Sequence, residues 1–206
     1  MPIRNVIPIA AIAVGFSLPS SAKKPDAPDN GAVTVESVSY SGDGCSNGTV
    51  ATHISPDAEA FTVIFSEFLA EVGPVVHKTS ARRQCKLHVK LGVPRGWQYA
   101  LAGTDFRGYA TLDPGVVATR QSTYHMSGES PETTAQYRWQ GGFDDDYAVR
   151  DLGGDAAPYW SRCGGGKNLM ISTTLEVGGP AGAAGVLNVD SIDGEVHHLT
   201  WTRCGH

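Results

Sequence analysis

Long runs of one character are missing from this sequence. No basic stretch exceeds the Arg82-Arg83 pair, and the 206 residues carry 16 Lys and Arg against 21 Asp and Glu, a formal charge of −5. Such a chain has no electrostatic footprint for nucleic acid or for an anionic membrane surface. No apolar run reaches the ~20 residues of a membrane span; the most apolar stretch, residues 6–18 (VIPIAAIAVGFSL), stops well short. Cysteine is scarce, four in all with no C-x-x-C pair, and the seven histidines include no H-x-H or H-x3-H pair. The spacing signatures of structural zinc and of thiol redox sites are therefore absent. What is present, 41% hydrophobic residues with 25 Gly and 12 Pro, fits one globular domain with its own core and excludes a coiled coil, a collagen and a wholly disordered chain.

Residues 1–22 read as a secretory signal peptide: Arg4 opens it, the apolar stretch follows, and the small residues Ser20 and Ala22 occupy the positions that signal peptidase checks. Residues 23–32 (KKPDAPDNGA) read as a disordered leader of turn formers with little to bury. That leaves 33–206 as a single domain, with no internal repeat or interdomain linker, expected to be a secreted, extracellular monomer. Export makes the cysteines legible. Cys45, Cys85, Cys163 and Cys204 all follow the cleavage site, so two disulfides are expected in place of a metal site. Of the three pairings, Cys45–Cys85 with Cys163–Cys204 is preferred, because each then staples one half of the chain around a loop of ~40 residues, worth roughly 4 kcal/mol in the chain-entropy picture.

Period-two alternation dominates the rest. In residues 85–93, Cys85, Leu87, Val89, Leu91 and Val93 share one face while Lys86, His88 and Lys90 share the other. The pattern recurs at 33–35, 97–101, 106–112, 169–177 and 195–204, with Gly, Pro, Asp and Asn between the runs. Many short strands at regular spacing predict an all-β protein, an antiparallel β-sandwich or jelly roll stapled by two disulfides. Residues 57–72 are ambiguous: Phe61, Ile64, Phe65, Phe68 and Leu69 also form a helical stripe. The crowding of β-branched and aromatic residues over 61–65 favours a strand there.

Several blocks resemble a known family: 42–50 (GDGCSNGTV), 83–85 (RQC), 97–99 (WQY) through 106–116 (FRGYATLDPGV), 124–128 (YHMSG), 160–165 (WSRCGG), and 189–194 (VDSIDG) followed by 199–204 (LTWTRC). They are similar to the DUF4360 family of secreted fungal and bacterial proteins, over nearly the whole chain after the signal and with all four cysteines included. The resemblance implies an extracellular, Cys-paired, all-β domain. It implies no activity and no catalytic residue.

The candidate sites are sparse. Asp144, Asp145 and Asp146 could supply oxygens to Ca2+, yet they do not follow an EF-hand loop, and a solvated acidic loop is the simpler expectation. No cofactor is expected. Asp190 and Asp193 lie in a stretch whose Asp193-Gly194 reads as a hairpin turn, and His197 and His198 fall on opposite faces if that segment is a strand. For nucleophilic chemistry no cysteine is left free, and Ser, His and Asp are too common to inform. Tyr137, Trp139 and Tyr147 interleave with polar residues beside Gly141-Gly142 and are the aromatic binding candidates, together with the three aspartates. Exposed rings stack on sugar faces while neighbouring Asp, Asn and Arg bond the hydroxyls. Asn47-Gly48-Thr49 is an N-glycosylation sequon. The expected function is non-catalytic recognition of a polysaccharide or of a wall or surface component. A secreted polymer hydrolase, with an acidic pair drawn from Asp105, Asp113, Asp144–Asp146, Asp190 and Asp193, is the alternative, followed by a protein-binding effector or structural protein.

Overall fold

A computed structural model describes residues 27–29, 31–128, 132–151, 160–190 and 194–205. The expected signal peptide, half of the expected leader, Asp193 and His206 lie outside the described residues. Twelve strands run along the chain: β1 (Thr34–Ser41), β2 (Val50–Ile54), β3 (Ala60–Phe65), β4 (Leu69–Val72), β5 (Ser80–Gly92), β6 (Trp97–Leu112), β7 (Val117–Met126), β8 (Thr133–Gln140), β9 (Phe143–Asp151), β10 (Leu169–Gly178), β11 (Gly185–Asn188) and β12 (Glu195–Arg203). They form two antiparallel sheets. One has five strands in the order β1-β5-β10-β7-β8; the other has seven, in the order β2-β3-β12-β6-β11-β4, with β9 on the far edge of β6. The chain crosses between the sheets after β1, β4, β5, β6, β8, β9 and β10, which makes an all-β sandwich. No described helix is long and apolar enough to cross a membrane.

The alternation read from the sequence is the alternation of burial. In β5, Cys85, Leu87, Val89 and Leu91 face the core, and in β10 Leu169, Ile171, Leu175 and Val177 do the same. The ambiguous segment 57–72 resolves into β3 and β4, with Phe61, Val63 and Phe65 buried on one face of β3. A turn before β3 fixes its start: the Asp57 carboxylate accepts from the Ser55 hydroxyl at 2.5 Å and the Glu59 amide at 3.0 Å, and Ser55 Oγ accepts the Ala60 amide at 2.9 Å. Ordering the first strand residues in this way leaves no room for a helical turn.

The disulfides are Cys45–Cys85 and Cys163–Cys204, closing sequence separations of 40 and 41 residues. Each serves one sheet. Cys45 follows β1 and meets β5, both of the five-stranded sheet, whereas Cys204 follows β12 and meets a segment whose Ser161 and Gly164 amides donate to the Tyr99 and Trp97 carbonyls of β6.

Between the sheets lies a polar cluster. Arg120 of β7 is fully buried, pairs through both terminal nitrogens with Asp151 of β9, and donates to Ser122 Oγ at 2.7 Å. The Tyr124 hydroxyl donates to Asp151 Oδ2 at 2.6 Å, and the Arg120 guanidinium stacks 3.6 Å from the Phe106 ring centroid. Beside it on β12, His197 Nδ1 bonds Thr104 Oγ1 at 2.9 Å, and Nε2 stands 3.4 Å from the buried Glu195 carboxylate. Arg120 and Asp151 come from different sheets, so this pair ties the sandwich layers together.

Candidate functional site

Strand β6 is the axis of the seven-stranded sheet. One edge pairs with β9 from Thr104 to Leu112; the other pairs first with β12, through Phe106, and then with β11, from Ala110. In the gap between those two partners, backbone pairing is replaced by local bonds. The Arg107 amide donates to the Gly194 carbonyl at 3.0 Å, the Asp190 amide to the Arg107 carbonyl at 2.9 Å, and the Tyr109 amide to the side-chain oxygen of Asn188 at 2.7 Å. With β3 and β12 on one side of the gap and β4 and β11 on the other, a groove of about 250 Å³ opens, lined by residues 65–69, 108–109, 146 and 188–190.

The residues of β6 decide what faces the groove. Phe106, Ala110 and Leu112 are buried, so Arg107 and Tyr109 point outward. Gly108 lies on the inward side, where a Cβ would overlap the Asn188 carbonyl oxygen and crowd the Tyr147 hydroxyl. Only glycine lets the 188–190 segment come this close. Tyr109 is 38% exposed, and Leu69 at the rim is 43% exposed. The register places Asp146 opposite Tyr109 and Asp144 opposite Thr111, on the same outward face. The Tyr109 hydroxyl donates to Asp144, and that hydrogen bond to a carboxylate raises its phenol above the ordinary tyrosine range. The ring is thus held at both ends, by its amide and by its hydroxyl, with a face left to solvent. Glu67, Asp146 and Asp190 complete an acidic lining.

The sequence-stated candidates separate. Tyr147 is buried on the inward side of β9, where its hydroxyl donates to the Asn188 carbonyl at 2.6 Å and burial pushes its phenol pKa up. Trp139 is half-buried against it, ring centroids 4.7 Å apart, and half-buried Tyr137 stacks next to Trp139 and donates to the Arg150 carbonyl. These three rings form a seam between β8 and β9 that closes one side of the sandwich. Asp145 pairs with Ala110 and so leaves the face that carries Asp144 and Asp146. Among the described residues no three of His, Cys, Asp and Glu are gathered as a metal ion would require.

The acid candidates are equally dispersed. Asp105 bonds His198 Nε2 at 2.7 Å and stands 3.6 Å from Arg150. Asp113 accepts the Ala184 amide at 2.7 Å in a turn. Of the set, Asp146 and Asp190 share the groove. His197 and His198 do face opposite sides, one into the core and one onto Asp105. Residues 44–48 (GCSNG) have the spacing of a hydrolase nucleophile turn, but they connect β1 to β2, with Cys45 in a disulfide and no helix following. Asn47 is exposed in that connection.

Asn188 and Glu67 were not among the sequence candidates, and Tyr109 was only one aromatic among many. A signal for Tyr109 existed: between inward Phe106 and Leu112 it is an aromatic on the polar phase of a strand. Nothing comparable marks Asn188, at the end of β11, or Glu67, in the connection between β3 and β4.

The family described as Domain of unknown function (DUF4360) is matched by residues 31–204. Over 202 residues the chain is 33% identical to an "Uncharacterized secreted protein" of Arthroderma benhamiae, covering 96% of this chain and 82% of that protein. Among solved structures it is similar to TmCBM61 in complex with β-1,4-galactotriose, at 14% identity and TM-score 0.31, over 82% of this chain and 90% of that one. It is also similar to the enzymatically active domain of bacteriophage CBA120 tailspike protein 4, at 12% identity and TM-score 0.27, over 84% and 20%. At such scores neither likeness bears on ligands.

Proposed function

The chain belongs to the DUF4360 family, and we propose that it acts outside the cell as a non-catalytic recognition domain for polysaccharide or another wall or surface component, with the groove around Tyr109 as its site. It is a secreted protein, as its relative is, and its paired cysteines suit an oxidising compartment. The observation that carries the reading is the Tyr109 ring: exposed, fixed by its amide and its hydroxyl, and set in a groove whose other polar side chains are three carboxylates, an amide and the Ser66 hydroxyl. A sugar ring can lay its CH face on such a platform while its hydroxyls bond Asp146, Asp190, Glu67 and Asn188. Pre-fixing the ring lowers the ordering cost of binding.

The hydrolase reading draws on Asp146 and Asp190 lining one groove. The two readings part on products. Incubating the disulfide-intact protein with a panel of soluble and insoluble polysaccharides, with mass spectrometry of the supernatant, should give retention on at least one polymer and no released fragments. Tyr109→Ala should weaken that retention at least tenfold. Released oligosaccharides that disappear in Asp146→Asn or Asp190→Asn would make the protein a hydrolase, and absence of any retention would remove the glycan reading.

A further inference from the structure

The outward face of the five-stranded sheet holds a second arrangement, independent of the groove. Met170 of β10 is in register with His88 of β5 on one side and with His125 of β7 on the other. All three occupy the half-buried, outward phase of their strands, between buried Leu87 and Val89, Leu169 and Ile171, and Tyr124 and Met126. The two imidazoles therefore stand two strand spacings apart, roughly 10 Å at their bases, with a thioether midway between them. Side chains of this length can close over the sulfur from either side.

His125 is already oriented. Its side chain is 27% exposed, yet Nδ1 is shut off from solvent without a hydrogen bond and faces Glu132 Oε1 at 3.6 Å. A carboxylate behind one ring nitrogen is the arrangement that turns the other nitrogen toward a metal. Opposite His88 lies Ser39 of β1, and the next outward row is Lys86, Ser172 and Thr123. Lys90, the other cation on this stretch of β5, is tied to Glu36 at 2.7 Å. A site with two imidazoles, one thioether and lysines nearby is soft and weakly charged. That chemistry suits a monovalent soft ion better than Zn2+ or Ca2+.

We infer that His88, Met170 and His125 form a surface site for Cu(I), with Glu132 as the positioning residue behind His125. The sulfur inventory makes the site traceable. All four cysteines are in disulfides and Met126 is buried facing the core, so among the described residues Met170 is the sulfur open to a surface ion.

The test is an anaerobic titration of the disulfide-intact protein with Cu(I), supplied as its acetonitrile complex and competed by bicinchoninate, followed by X-ray absorption at the copper edge. The expected result is one equivalent bound, with nitrogen and one sulfur scatterer. Met170→Leu, a volume-conserving change on the outer face, should lower the affinity at least tenfold and remove the sulfur scatterer while leaving the melting temperature in place. His88→Gln and His125→Gln should each weaken uptake, and Glu132→Gln should do so by a smaller factor. No uptake, a copper spectrum without sulfur in the wild type, or wild-type affinity in Met170→Leu or in His88→Gln would each overturn the assignment. The wild-type spectrum decides the matter even if a variant does not fold.

Discussion

The two outward faces of the sandwich use the same period-two alternation and end differently. On the five-stranded sheet, β10 pairs with β5 and β7 from Leu169 to Gly178 without a shift in register. Its outward side chains line up in straight rows, such as Gln84, Thr174, Gln121 and Gln136, and the face is flat and polar. On the seven-stranded sheet the partner of β6 changes from β12 to β11, and pairing lapses around Tyr109. The concavity arises at that lapse. An uninterrupted ladder thus gives a row of side chains at fixed spacing, which suits a small ion. An interrupted one gives a groove with a ring at its floor, which suits a polymer.

Both faces rest on the ties between the layers, so the largest expected effect comes from breaking the Arg120–Asp151 pair. Arg120→Ala leaves Asp151 buried without its partner and should cost roughly 3–5 kcal/mol, read as a fall in the urea or thermal midpoint, with ligand uptake lost on both faces at the same denaturant concentration. Replacing both partners by apolar residues, Arg120→Met with Asp151→Leu, should cost less than the single change. A double variant as unstable as Arg120→Ala would mean that packing, and not the unpaired charge, sets the cost.

A smaller change sharpens the contrast between the faces. Tyr109→Ala should weaken glycan retention at least tenfold, equivalent to about 1.4 kcal/mol or more, in a protein that remains folded. Thr174→Ala on the flat face should leave glycan retention alone. If the two variants behave alike in a binding assay, the distinction between groove and flat face fails.

The smallest effect is electrostatic. The Asp144 carboxylate favours the neutral phenol of Tyr109 and raises its pKa in the folded protein. That contribution is fully present below the unfolded tyrosine pKa of ~10 and is lost as the pH rises through the higher folded value. In a phenolate absorbance titration, Asp144→Ala should move one tyrosine back toward the ordinary range, and the shift should be absent when Tyr109→Phe is the background. An unchanged titration in Asp144→Ala would mean that the bond between them does not hold the ring.

The extent to which this was legible in the sequence follows the range of the interactions. Alternation, turn chemistry and cysteine spacing are local, so the strand content, the preference for Cys45–Cys85 with Cys163–Cys204, and the strand over 61–65 could all be read in advance. Which alternating face meets the other sheet is also local. Whether an aromatic on the polar phase is free is not, because it depends on the neighbouring strand. Tyr137 and Trp139 sit among polar residues and still pack, because they lie opposite the buried Arg120 and Ala118 of β7 and β9 brings Tyr147 against Trp139. Tyr109 stays open where the pairing of β11 with β6 ends, at Leu187 opposite Ala110, one residue short of it. The His88–Met170–His125 row likewise exists only through the order β5-β10-β7, which joins residues far apart in the chain.

The most direct test of the account maps the bound ligand onto the two faces. With backbone amides assigned by NMR, an oligosaccharide of the polymer that the protein retains should shift residues 65–69, 108–109, 146 and 188–190, the lining of the groove, and leave the outward rows of β5, β10 and β7 unmoved. Shifts confined to those rows, or to the seam of Tyr137 and Trp139, would contradict it.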